Sequence, residues 1–260
     1  MKIETYSIVW NEEDKLPWYL EHYSFADKHF LFNDISSDDK TKEIILSSSK
    51  CSLINVDFGL NNQEFRDLKD KCWKDSDADW VIVGDIDEFL FHPNMVQLLS
   101  TTSADILQPS IAYNMVCDPF TNNWKEIKNG VIIGNENPGE VKIMADNFVD
   151  NVLIIGLGHD LTKWLKCMLF RPSKVDTMQW NLGCHFCKPL GKNGHELSIQ
   201  RILNLNFLHY HYIGVEKVLE KHKKYVVRAA ANNEDYAEYH LSRNDILAYI
   251  QSGNPIDFLS

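Results

Sequence analysis

Three times in its first hundred residues the chain repeats one pattern, a short apolar run rich in β-branched and aromatic residues and then a stretch with helical periodicity, and a fourth such run follows. The first run, residues 4–10, leads into Asn11-Glu12-Glu13-Asp14, which offers an N-cap and first-turn acids. Pro17 suits a first helical turn, and Leu16, Tyr19, Leu20 and Tyr23 then recur at helical spacing. Further runs at 29–32 and 52–58 are each followed by a predicted helix, around 40–48 and from residue 61 or 62, where Phe65, Leu68 and Cys72 share a face. The fourth run, Trp80-Val81-Ile82-Val83, enters Gly84-Asp85-Ile86-Asp87-Glu88-Phe89-Leu90. A βαβαβαβ series folds as a mainly parallel sheet with helices on its faces, because parallel neighbours need a crossover connection. Ligands of such sheets bind beyond the carboxyl ends of the strands. Asn11, Asp34 and Asp85 each follow a predicted strand, so they should gather on one edge.

The later chain is less periodic. Residues 104–115, 152–155 and 167–170 read as strands, 118–139 as a long loop, and 216–228 as a basic amphipathic helix; beyond 229 a helical tail is expected. The expected organisation is one α/β domain over 1–228, divided into a 1–100 half and a 101–228 half, with a tail over 229–260. No segment reaches 18 uninterrupted apolar residues, and the N-terminus has no signal-peptide pattern, so a cytoplasmic protein is expected. Its six cysteines then read as free thiols.

A net charge of −11 argues against nucleic acid as a partner. The charge is also uneven. Residues 1–162 carry 13 Lys+Arg against 28 Asp+Glu, whereas residues 163–228 carry 12 against 4. An acidic first region fits a metal site, and a basic later region fits phosphates, an anionic acceptor or a lipid headgroup surface. Lys217, Lys221, Lys223, Lys224 and Arg228 could rest the helix 216–228 on the inner face of a membrane; solvated surface lysines are the plainer reading.

Two aspartates one residue apart, in a turn after a buried strand, can both point at one cation. Mg²⁺ and Mn²⁺ take one or two carboxylates plus substrate phosphates. The same Asp85-x-Asp87 could instead be the nucleophile loop of a haloacid-dehalogenase-like phosphatase, although Phe89 stands where that motif wants Thr or Val. A third reading is a nucleotide- or carbohydrate-binding domain without turnover. Separately, Cys184-x-x-Cys187 with His185, and His195 or His209-x-His211, has half of a zinc-site spacing.

The string Asp79 to Leu90 resembles the D-x-D-E-F signature of glycosyltransferases of the family 2 type and the related family 92 type. The opening from Ile8 to Tyr23 is similar to their N-E-x-x-x-L-x-x-W/Y-L-x-H-H/Y start, and Asn33-Asp34-Ile35-Ser36-Ser37-Asp38 to their D-N-x-S-x-D segment with two residues exchanged. Lys166 through Arg171-Pro172 resembles a K-x-x-x-R-P strand, and His209-Tyr210 with 215–221 resembles an H-Y … E-E-F-x-x-K stretch.

This resemblance implies a GT-A-like, Rossmann-type fold and a hexosyltransferase-type activity that uses a nucleotide-sugar donor, first of all a UDP-sugar. It also implies Mn²⁺ or Mg²⁺, inversion at the anomeric carbon, a glycan or lipid-linked acceptor, and a role in bacterial surface polysaccharide synthesis. Residues 1–100 would then bind the nucleotide sugar and 101–228 the acceptor, with Trp164 and Trp180 as sugar-stacking candidates. Carried over, Asn11, Glu13, Asp34, Arg66, Asp85 and Lys166 would line the donor site, and Asp85, Asp87 and His209 would hold the metal. An inverting transfer also needs a base for the acceptor hydroxyl. His185 and Asp160 are the candidates; a buried hydrogen-bonded histidine and a capping aspartate are the plainer readings of the two.

Overall fold

The protein is described by a computed structural model over residues 1–57, 61–133, 148–149, 152–153, 166, 168–181, 184, 187–231 and 240–256. In the first region β1 (Ile3–Val9), α1 (Leu16–His22), β2 (Lys28–Asp34), α2 (Thr41–Ser47), β3 (Cys51–Val56), α3 (Asn62–Lys71) and β4 (Trp80–Val83) realise the expected series. The strands lie in the order β3-β2-β1-β4, all parallel. Every residue of β1 and β4 is buried, as befits strands covered on both faces. The polar residues of β1 are paired inside: Tyr6 donates to Glu4, Ser7 to Tyr19, and Thr5 meets His29.

Two local signals resolve differently. Asn61 caps α3 by accepting from the Gln63 and Glu64 amides, and Phe65, Leu68 and Cys72 pack together on the core. In contrast, α1 starts at Leu16 with no side-chain cap, although Pro17 sits in its first turn. The side chains expected to cap it are engaged elsewhere. Asn11 Oδ1 accepts from the Asp38 amide at 2.9 Å, and Glu13 Oε2 from the Lys40 amide at 3.0 Å. They stitch the loop after β1 to the loop after β2, with Asn11 in the left-handed region at φ 53°, which asparagine tolerates.

The chain continues through β5 (Glu88–Phe91), α4 (Met95–Thr101), β6 (Ile106–Cys117), β7 (Asn129–Ile132), β8 (Phe148–Val149), β9 (Val152–Leu153), β10 (Leu169–Phe170), β11 (Val175–Thr177), β12 (Leu190–Gly191), β13 (Ile199–Ile213), α5 (Val215–Ala231), α6 (Arg243–Gln251) and β14 (Asn254–Pro255). Strand β10 joins β4 to β6 and runs antiparallel to both. β13 lies parallel to β6 and antiparallel to β5. The whole is α/β, a mixed, mostly parallel sheet of GT-A-like, Rossmann type with flanking helices.

Three elements differ from the sequence reading. The residues after Asp87 form strand β5 rather than a plain turn. The loop expected over 118–139 contains β7, which pairs with β6. The fifteen-residue β13 was not expected from the sequence, and its partners β5 and β6 lie about a hundred residues earlier in the chain. Among the described residues no helix is long and apolar enough to cross a membrane.

Candidate functional site

The pairing of β13 with β5 builds the site. Glu88 stands opposite His209, and the Tyr210 amide donates to the Asp87 carbonyl at 2.7 Å. Residues i and i+2 of a strand share a face. His209 and His211 therefore both flank Asp87, while Tyr210 turns into the core against Phe89 and Trp18. His209 Nε2 lies 3.9 Å from Asp87 Oδ1, and His211 Nδ1 lies 3.9 Å from Asp87 Oδ2. One ligand atom from each of the three residues falls within 4.8 Å of the others.

The electrostatics suit a cation. Burial works to raise the Asp87 carboxyl, yet Lys15 and Lys221 hold it well below the usual carboxylate range. Burial lowers both His209 and His211, the latter further because His209 stands beside it, so both are neutral near pH 7 and keep a lone pair. His209 Nδ1 lies 2.8 Å from Asn114 Oδ1, which can only accept; Nδ1 therefore carries the proton and Nε2 is left as donor atom to a metal. Asn114 is fixed in turn by the hydrogen bond from its amide nitrogen to Tyr249 Oη at 2.7 Å. One carboxylate with two imidazoles is a donor set that fits Mn²⁺ better than the all-oxygen preference of Mg²⁺.

Around this trio the acids carry cationic partners. Lys15 and Lys221 approach Asp87 at 3.4 and 3.6 Å, and Lys221 also binds Glu12 at 2.8 Å. Lys221 is drawn down by burial but driven well above the lysine range by Glu12, Tyr225 and Asp87. Lys15 is pulled below it by burial and by Lys221 alongside. Asp85, in spite of burial, is held low by Lys69 at 2.7 Å and by Lys166. Lys166 is itself buried and closely paired with Glu88, whose other oxygen accepts from the Asp85 amide at 3.0 Å.

The residues expected at the donor and metal sites fall into four groups. Asp87 and His209 come together, joined by His211. Asp85 and Lys166 lie beside them, with Asp85 turned to lysines instead of to the His209–His211 pair. Asn11, Glu13 and Asp34 lie along the same sheet edge: Asp34 accepts from Ser36 and is closely paired with Arg228. Arg66 pairs with its neighbour Asp67 at 2.9 Å and is not brought to Asp87. His185, Asp160 and Trp164 lie outside the described residues. Cys184 is buried and Cys187 forms a bridge with Trp180.

Sequence reasoning gave Glu12, Lys15 and Lys69 no role at the site, weighed His211 only for zinc, and weighed Lys221 and Arg228 only as surface or membrane-facing cations. Two signals could have found some of them. His209-x-His211 has strand periodicity, and Lys217, Lys221 and Arg228 stand at i, i+4 and i+11 on one helix, a spacing that puts them on one stripe. That stripe faces inward. Lys217 binds Asp14 at 2.7 Å, Lys221 binds Glu12, and the Arg228 guanidinium lies 4.2 Å from the Trp10 ring centre while pairing with Asp34. Three of the five cations weighed as solvated or membrane-facing are thus engaged with the acidic edge of the sheet.

No protein-family model matches the chain, and no curated protein matches it. Among solved structures it is similar to S. aureus TarS. For the 1–349 fragment the TM-score is 0.47 at 14% identity, covering 96% of this chain and 71% of that one. For that fragment in complex with UDP-GlcNAc the values are 0.46 and 13%, over 96% and 72%. For a longer TarS chain they are 0.48 and 12%, over 96% and 43%.

Proposed function

We propose that the chain is a metal-dependent glycosyltransferase that moves a sugar from a nucleotide-sugar donor, first of all a UDP-sugar, to a glycan or lipid-linked acceptor, with inversion. The observation that carries this reading is the convergence of Asp87, His209 and His211 at the edge of a parallel sheet where ligands of such folds bind. These three residues would hold Mn²⁺. When bound, such an ion neutralises the charge that develops on a departing diphosphate.

The rest of the work falls to the chain. Lys15 stands 3.4 Å from Asp87, where its ammonium would add positive charge in a setting where burial strengthens it. Lys69 and Lys166 keep Asp85 ionised and aimed away from the imidazoles. Asp34, at the end of β2, would take the ribose hydroxyls once Arg228 yields, and Asn11 and Glu13 hold the two loops that shape this edge. The acceptor's proton goes to a base for which His185 and Asp160 remain our candidates. A role in bacterial surface polysaccharide synthesis belongs to the same proposal.

A phosphatase reading needs Asp85 as an unhindered nucleophile. Its 2.7 Å pair with the buried Lys69 disfavours that reading. Thermal unfolding with Mn²⁺ or Mg²⁺, each with and without UDP-GlcNAc, UDP or a phosphate mimic, tests the choice. A ligand at a hundred times its Kd adds about 2.7 kcal/mol of stability. Joint stabilisation by Mn²⁺ and UDP, lost in Asp87→Asn, is the expected result. Stabilisation by beryllium fluoride alone would replace the transferase with a phosphatase, and indifference to every ligand would leave a domain without this chemistry.

A further inference from the structure

Helix α5 is attached in two different ways along its length. Its first turns are packed apolar: Val215 and Val218 are buried with Val116, Ile246 and Ile250. Its remainder is held to the sheet edge chiefly by charge and ring contacts. These are Lys221 to Glu12 and Asp87, His222 Nε2 3.1 Å from His211 Nε2, Tyr225 edge-on to Trp10 at 5.2 Å, and Arg228 to Asp34 and Trp10. Val227, in this second stretch, is 73% exposed. At the start of the helix Gly214 has φ 73°, and an added Cβ would come within 2.7 Å of Phe120 Cβ, so the chain turns sharply there at a residue that must be glycine.

The helix cations sit where a nucleotide sugar would bind. The cavity between α5 and the loop after β1 measures about 100 Å³. Pockets for ligands of nucleotide size run to roughly 300–1,000 Å³. Lys221 touches the carboxylate that would face a metal, and Arg228 the carboxylate that would face a ribose. Resting on the transferase reading, we infer that the second half of α5 is a displaceable strap: its cations neutralise Asp87 and Asp34 in the resting protein and leave when metal and nucleoside diphosphate take those carboxylates. An acidic edge with no ligand would otherwise hold several uncompensated buried carboxylates, which is costly. The strap supplies the missing charge from within the chain, and the divalent ion replaces it.

Hydrogen exchange and UDP titration on the full chain separate the possibilities. Without any ligand, the double variant Lys221→Met, Arg228→Met should exchange amides of 221–230 at least tenfold faster than the parent, with β1 and β4 unchanged. Unchanged exchange in 221–230 would overturn the strap whatever the protein catalyses. With Mn²⁺ present, the same variant should bind UDP about tenfold more tightly than the parent, because no cation has to leave. Weaker binding would overturn the strap and make the two cations donor ligands instead. If neither protein binds UDP, the transferase reading fails, and the ligand-free exchange still decides whether charge alone holds the helix.

Discussion

The two regions of the molecule solve the same problem, placing polar groups at a sheet edge, by opposite means. In residues 1–83 each strand is short, pairs with another strand of the same region, and is connected to the next by a helix. In the later region a single long strand, β13, reaches back to β5 and β6, and a single helix, α5, reaches back to loops some two hundred residues earlier. The loops of the first region and the 85–88 turn that directly follows it supply the carboxylates; the later region supplies the histidines and most of the cations that meet them. The site therefore depends on non-local pairing, although its most visible motif, Asp85-Ile86-Asp87, is local.

The largest expected effect tests that dependence. Asp87→Asn should lower transfer by about a thousandfold, the scale of several kcal/mol of transition-state stabilisation. It should also lower the melting temperature, because Lys15 and Lys221 lose a buried partner. Full activity in a folded variant would sever the acidic motif from the chemistry.

Next comes the frame of the first region. Trp80 is fully buried, with its indole donating to the Leu99 carbonyl at 3.0 Å and the Arg171 guanidinium over its ring at 4.2 Å. Trp80→Ala should cost about 3–5 kcal/mol in denaturant unfolding. A loss under about 1 kcal/mol would mean that this strand is not the anchor of the sheet.

Acid probes the same frame. Burial lowers His29 to about 4, and its ring bonds Thr5 at 2.8 Å. The unfolded chain takes up a proton near pH 6.5 while the folded chain does not, so stability falls as pH drops from about 6.5 to 4. The shift corresponds to at most about 3 kcal/mol. His29→Gln should flatten that portion of the pH–stability curve, and an unaltered slope would place the acid sensitivity elsewhere.

A smaller effect sharpens the contribution of the later region. Asn114→Ala removes the acceptor that orients His209 and should weaken Mn²⁺ binding by about 10–100-fold by calorimetry, with little change in melting temperature without metal. The smallest effect belongs to the exposed pair Glu21–Lys125, where double-mutant coupling should stay within about 1 kcal/mol.

What was legible in the sequence follows the same division. The parallel core could be read because each of its strands declares itself by composition within a few residues, and each helix by its period. Asp34, Asp85 and Asn11 could be placed on one edge because strand ends in such a sheet share an edge. Arg66 could not be judged, since only the contact with Asp67 shows that its side chain is engaged beside its own helix. The charge imbalance between the two regions was visible as a number, yet its meaning was not: complementary charges far apart in sequence look identical to two solvated faces until the chain is folded. His211 was passed over because its spacing from His209 was weighed against zinc-finger patterns and not against the two-residue repeat of a strand.

The pairing of β13 is interrupted between Ile202 and Asn206, where Asn204 adopts φ 65°. A second irregularity falls between His209 and Tyr212, and between the two the strand's alternation sets which side chains look at Asp87. Inserting or deleting one residue between Asn204 and His209 would keep every amino acid of the constellation in the gene product, but turn both imidazoles away and present a phenol to the carboxylate. Heredity could thus erase the centre without altering any of its members, and restore it by a second such change nearby.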